Sequence, residues 1–234
     1  IVVDDRETSL AEHRSRARRL ASGLRALGMQ EGETFGIMLR NSEAYLEAID
    51  ANRQIGTTYC PINWHFSASE VRYLLEDSGA RLLIVHADFW ERIKTVVSPS
   101  MPVLIVGEHA DCNGTENTPY SFAQWRDGFE ESDDYSRFPR GHMAYTSGTT
   151  GRPKGVVRHL FPADIADERR QAAKALLRQT FGLSQDCTAL LPAPIYHSAP
   201  SLFAQNALQL CKTFVLTERF DPLEVLRLVE TYRI

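Results

Sequence analysis

"TFGIMLRNSEAYLEAIDANRQIGTTYCPI", residues 34–62, passes from an apolar run into an amphipathic segment and back to an apolar run. Residues 34–39 are apolar after Thr34 and have the length of a buried strand. Asn41 and Ser42 then open a helix in which Tyr45, Ala48 and Ile49 share one face, and Gly56 supplies the stop. Residues 58–62 are the next strand. The same alternation continues on both sides. Upstream, Ser9 and Glu12 form a capping-box pattern ahead of Leu20, Leu24 and Leu27, with Gly28 as the stop. Downstream, Ser67 and Glu70 cap a helix carrying Val71, Leu74 and Leu75, Gly79 ends it, and "RLLIV" at 81–85 follows as a strand. A helix around Trp90 and Ile93 leads to the strand "VLIVG" at 103–107. Strands apolar throughout, separated by helices, mark a parallel sheet covered on both faces. The expected class is α/β.

Residues 107–119 are polar and contain Gly114 and Pro119, and "EESDD" at 130–134 is a charge run expected to be a solvated surface segment. A subdomain junction is expected there. The arginines of "RSRARR", 14–19, are expected on the wet face of the first helix, opposite its leucines. Farther on, 166–182 reads as a long helix, 187–191 as a strand, 202–210 as a helix and 212–216 as a strand. Asp221, Pro222 and Glu224 then open a last helix in the N-cap, N1 and N3 positions. The expected division is a first α/β subdomain over 1–138, a strand and glycine loop over 139–158, and the start of a second, incomplete α/β subdomain over 159–234.

Composition narrows the function classes. A net charge of −4 over 234 residues with 43% hydrophobic content is that of an ordinary globular protein. Nucleic acid, which is met by a clearly basic face, is not an expected partner. The longest apolar runs, such as 82–85 and 103–106, fall far short of the ~20 residues of a membrane span. Cys60, Cys112, Cys187 and Cys211 are widely spaced with no C-x-x-C pair, which favours a reducing, cytoplasmic setting and gives no zinc pattern. Cys60, inside a strand, is expected to be core.

The chemistry is concentrated in "YTSGTTGRPKGV", 145–156. It follows a strand-like "HMAYT", and ligands gather at strand ends in open α/β sheets. Gly148 and Gly151 let main-chain N–H groups approach an anion, while Thr146, Ser147, Thr149 and Thr150 add hydroxyl donors. Lys154 adds a full charge, worth about 4 kcal/mol against a unit charge about 4 Å away at an effective dielectric of about 20. The loop suits phosphate oxygens. It is neither a Walker loop, since Lys154 follows Pro153 and precedes Gly155, nor a kinase-type loop, since a third glycine at the needed step is missing.

This stretch resembles the signature of the adenylate-forming, AMP-binding superfamily, which comprises acyl-coenzyme A synthetases, peptide-synthetase adenylation domains and beetle luciferases. Residues 39–63, 73–84 and 190–200 resemble, in order, segments around that loop in acyl-coenzyme A synthetases. The resemblance implies a fold of stacked Rossmann-like parallel sheets flanked by helices, with this chain as the N-terminal part. It also implies that Thr146, Ser147, Gly148, Thr149, Thr150, Gly151 and Lys154 hold the β and γ phosphates of ATP while a carboxylate attacks the α phosphorus. Coenzyme A would then take the acyl group. His197, in "PIYHSAP", matches the place where relatives put an aromatic or histidine beside the acyl carboxylate. The family's magnesium-binding Thr-Glu segment, ribose-binding aspartate and late lysine have no counterpart before Ile234, so the resemblance implies an acid–thiol ligase whose isolated N-terminal part is inactive and lacks the Mg²⁺ ligand. A non-catalytic nucleotide- or acyl-binding module and an adenylation domain feeding a carrier protein are the alternative readings.

Overall fold

The computed structural model describes residues 1–110, 112, 118–134, 140–146, 152–157, 168, 171–172, 175–176 and 178–234. From the N-terminus the chain forms β1 (Val2–Val3), β2 (Arg6–Glu7) and α1 (Leu10–Ala26). The stretch at 34–62 gives β3 (Thr34–Met38), α2 (Glu43–Ile55) and β4 (Thr58–Pro61). After these come α3 (Ala68–Asp77), β5 (Ala80–His86), α4 (Ala87–Ile93), β6 (Val103–Val106), β7 (Tyr120–Ser121) and α5 (Phe122–Asp127). The second part holds β8 (Ala144–Thr146), β9 (Lys154–Val156), β10 (Thr188–Leu191), α6 (Ser198–Leu210), β11 (Thr213–Leu216) and α7 (Pro222–Tyr232).

The helix starts are set by their caps. Ser9 accepts the Glu12 amide, Ser42 the Tyr45 amide, and Asp221 the amides of Leu223 and Glu224. Ser67 and Glu70 complete a reciprocal capping box. Each such cap is worth about 1 kcal/mol.

Strands β4, β3, β5, β6 and β7 form a parallel five-stranded sheet in that order. Alternate side chains sort to its two faces. Phe35, Ile37, Leu82 and Ile84 meet Leu20 and Leu24 of α1 and Tyr45 and Ile49 of α2. Met38, Leu83, Val85 and Ile105 meet Val71, Leu74 and Leu75 of α3 and Phe89 and Ile93 of α4. Gly36 permits a close approach of α3 to the sheet, since a Cβ there would stand 3.0 Å from the Leu75 side chain. Cys60 is fully buried in this second layer, as its place in a strand led us to expect.

The other sheet has the order β10, β11, β1, β2. Its β1 comes from the start of the chain and runs parallel to β11, with Val2 opposite Val215. Helix α6 lays Ala204, Ala207 and Leu208 into the same core as α2, so α2 lies between the five-stranded sheet and α6.

The arginine face of α1 differs from expectation. Arg14 is exposed as expected, but Arg16, Arg18 and Arg19 are half-buried: Arg16 pairs with Glu43 of α2, and the segment after α5 folds back over Arg18 and Arg19. Arg18 Nε donates to Glu131 at 2.7 Å, Arg19 to the Phe129 carbonyl at 3.0 Å and Arg25 to the Asp134 carbonyl at 2.6 Å. The charge run is a strap on α1, and its own like-charge repulsion is relieved by this basic row.

Candidate functional site

The lysine of the glycine-loop motif stands in a strand. β8 and β9 form an antiparallel hairpin in which Thr146 pairs with Lys154, Tyr145 with Gly155 and Ala144 with Val156. Side chains directly opposite in such a pair lie on one face. Thr146 and Lys154 therefore stand opposite each other, both exposed, on one face of the hairpin at the two ends of the connecting loop. Ser147, Gly148, Thr149, Thr150 and Gly151 lie outside the described residues.

The opposite face of the hairpin is anchored. The Tyr145 ring lies across Gly155, where a Cβ would stand 3.0 Å from its Cζ and 3.1 Å from both its hydroxyl and the Met143 sulfur. That hydroxyl donates to Asp77 Oδ2 at 2.7 Å, and the Tyr73 hydroxyl donates to the Pro153 carbonyl at 2.8 Å. Burial, together with the Asp77 carboxylate, raises the Tyr145 phenol well above its ordinary pKa, so it is held as a donor. The Arg152 guanidinium sits 5.5 Å from the centre of the Tyr73 ring. Just before the hairpin, His142 bridges to Tyr59 in parallel, and the Met143 amide donates to the Tyr59 carbonyl at 2.8 Å. The glycine loop thus leaves from the β4 edge of the five-stranded sheet.

His197 occupies the N-cap of α6 and is exposed, with its ring 4.4 Å from that of Tyr196. Tyr196 in turn sets its edge toward Trp64 at 6.5 Å. The loop bearing these rings is pinned by Asn41, which donates through Nδ2 to the Ala193 carbonyl at 2.9 Å and accepts the Ile195 amide at 2.8 Å. A buried polar network joins the histidine's helix to the strand before the hairpin. His142 Nε2 is 3.1 Å from the Ser198 hydroxyl, the Tyr59 and Ser201 hydroxyls are 2.6 Å apart, and Gln205 donates to the Tyr59 hydroxyl at 3.0 Å.

The family described as "AMP-binding enzyme" matches residues 1–234. The chain belongs to that AMP-binding enzyme family. It is 30% identical over 167 residues to a fatty acid–[acyl-carrier-protein] ligase of Streptomyces coeruleorubidus, covering 67% of this chain and 29% of that one. It is 28% identical over 236 residues to a feruloyl-CoA synthase of an Amycolatopsis species, covering 96% of this chain and 42% of the relative. The chain therefore spans less than half the length of these curated relatives. Its fold matches o-succinylbenzoate coenzyme A synthetase from Bacillus subtilis in complex with ATP and magnesium ion, with a TM-score of 0.75, 19% identity and coverage of 100% and 57% of the two chains.

The sequence pattern singled out the strand before the glycine loop and His197, but not that Lys154 stands in a second strand paired with the first, nor the groups that hold them. Asn41, Tyr59, His142 and Gln205 are polar residues placed in or beside apolar runs, and that misfit is the only signal the sequence carried. Among the described residues no group of three or more His, Cys, Asp or Glu side chains is placed to hold a metal ion, and no helix is long and apolar enough to cross a membrane.

Asn41→Leu removes both clamps and leaves a buried carbonyl and amide unpaired. We expect a loss of about 2 kcal/mol in stability by urea unfolding, with proteolytic cutting appearing first between Pro192 and His197. A variant as resistant as the parent at that loop would show that Asn41 does not hold it.

Proposed function

We propose that these 234 residues are the N-terminal part of an ATP-dependent acyl-coenzyme A synthetase acting on a fatty or related carboxylic acid. The observation that supports this reading is the hairpin, in which Thr146 and Lys154 occupy facing positions at the two ends of the glycine loop. A hydroxyl donor and a cation on facing positions of an anchored hairpin, both reachable from solvent, are a donor set that fits the terminal phosphates of ATP. Family membership and the activities of the relatives support the same reading.

In the proposed reaction a carboxylate oxygen of the acid attacks the α phosphorus, the bond from that phosphorus to the β-phosphate bridge breaks, and pyrophosphate leaves. Lys154 neutralises the charge that builds on the departing pyrophosphate, and Thr146 with the loop hydroxyls and amides keeps it in line. His197, at the mouth of the Asn41-pinned loop, orients the acid's carboxylate. The acyl-adenylate then passes its acyl group to the coenzyme A thiol, releasing AMP. A magnesium ion bound to the phosphates would add charge neutralisation. The resemblance assigns its protein ligand to a Thr-Glu segment of the full-length enzyme.

The relative that loads a carrier protein supports a second reading, in which the acceptor is the thiol of an acyl-carrier protein. The full-length protein, given ATP, a panel of acids and each acceptor in turn, should form the coenzyme A thioester. Thioester appearing only on carrier protein would move the assignment to the second reading. Residues 1–234 alone should give no turnover, because an adenylate requires groups placed on its ribose and metal as well as its phosphates. Turnover by that segment would contradict the proposal. In the same reading the enzyme works in the reducing cytoplasm, where its cysteines rest as thiols.

A further inference from the structure

Away from the hairpin, Cys187 and Cys211 bring their sulfurs to 3.2 Å of each other. Both are free thiols. They precede β10 and β11, neighbouring parallel strands that pair Thr188 with Thr213. Their backbones are held at the same place. The Cys187 carbonyl accepts the Lys212 amide at 3.0 Å, and the Cys211 amide closes the end of α6 on the Ala207 carbonyl at 3.0 Å. The pair is thus fixed by the sheet and the helix end, and no loop has to move to bring the sulfurs together.

From this geometry we propose that Cys187 and Cys211 are an intramolecular disulfide site, formed when the protein meets a low-molecular-weight disulfide such as oxidised glutathione. The two sulfurs differ in access. Cys187 is half-buried and its sulfur also accepts the Ser184 amide at 3.3 Å, while Cys211 is 7% exposed. Burial pushes the Cys211 thiol up to about 12, so Cys187 meets the oxidant first. Its thiolate attacks one sulfur of the small disulfide, releasing one thiol and leaving a mixed disulfide. Cys211 then gives up its proton and attacks the Cys187 sulfur, releasing the second small thiol. Two protein thiols lose two electrons and two protons, and one small disulfide becomes two thiols.

The bond would close the ring of chain that contains the Asn41-pinned loop, His197 and all of α6. It would tie the C-terminal end of α6 to the base of β10 without touching Thr146 or Lys154. Cys60 is fully buried with its thiol also pushed up to about 12, so it should stay out of the exchange.

The full-length protein is incubated with excess oxidised glutathione, alkylated, digested without reductant and mapped by mass spectrometry. The expected result is a linked peptide pair joining Cys187 to Cys211, about 2 Da lighter than the two thiol peptides, that dithiothreitol separates. In Cys211→Ser the mixed disulfide should accumulate on Cys187, and in Cys187→Ser the Cys211 thiol should stay unmodified in the native protein. A stable glutathione adduct on Cys187 of the unsubstituted protein, a bond from either cysteine to any other, or full alkylation of both after oxidation would overturn the proposal. The unsubstituted protein decides the matter even if a serine variant fails to fold.

Discussion

Lys154→Ala in the full-length protein slows acid-dependent ATP–pyrophosphate exchange by about two to three orders of magnitude, the range seen when one donor to developing transition-state charge is removed. The expectation comes from where the lysine stands. It is exposed on β9 with Thr146 directly across the hairpin, and the other face of that hairpin is fixed by Tyr145 on Asp77 and Tyr73 on Pro153. The strand that carries the lysine is held by partners the lysine itself does not touch. Removal of the lysine side chain should therefore leave stability within about 0.5 kcal/mol, as for surface substitutions generally. Lys154→Arg keeps the charge with a different shape and should recover part of the rate. Exchange at the parental rate in Lys154→Ala, with the fold intact, would take the lysine out of the site.

The largest stability effect is expected from Arg126→Met. Arg126, on α5, donates to Glu47 Oε2 at 2.7 Å, and Glu47 is 2% exposed in the middle of α2. Arg16, 3.8 Å away, is its other cation. Replacing Arg126 leaves a carboxylate in the layer between α2 and α5 with only that distant partner, at a cost of about 3 to 5 kcal/mol in urea or thermal unfolding. The pH dependence has a definite sign. Burial already raises the Glu47 carboxyl above its ordinary pKa even with Arg126 beside it. The folded protein therefore holds that proton more tightly than the unfolded chain, and this group's contribution to stability grows as pH falls toward the carboxylate range. Without Arg126 the preference strengthens, so the deficit should be greatest at neutral pH and narrow under mild acid. Glu47→Met added to Arg126→Met should restore much of the loss. A variant as stable as the parent at neutral pH would show that the pair is not what allows Glu47 to be buried.

Much of this architecture was legible from the chain. The stretches 34–39, 58–62, 81–85 and 103–107 are apolar enough to be recognised as central strands, and the serine caps fixed where α1, α2 and α3 begin, because both signals are local. The two-residue strands β1, β2 and β7 carry too little pattern to register. The pairing of β1 with β11 is a contact between opposite ends of the chain that no local periodicity contains. The acidic strap showed the same limit, since its charges could be counted but their partners on α1 could not. In the site, the hydroxyls, glycines and lysine announced themselves because their chemistry lies in one short run. Asn41, Tyr59, His142 and Gln205 did not, since each takes its meaning from a partner far along the sequence.

In the proposed reaction this chain holds the phosphate end of ATP for attack by a carboxylate. Its most direct test is isotope exchange between labelled pyrophosphate and ATP, run with the full-length protein over a broad panel of carboxylic acids and without coenzyme A. Label should enter ATP in a manner that depends on at least one acid of the panel. Exchange absent with every acid, in a folded protein that contains this chain, would contradict it.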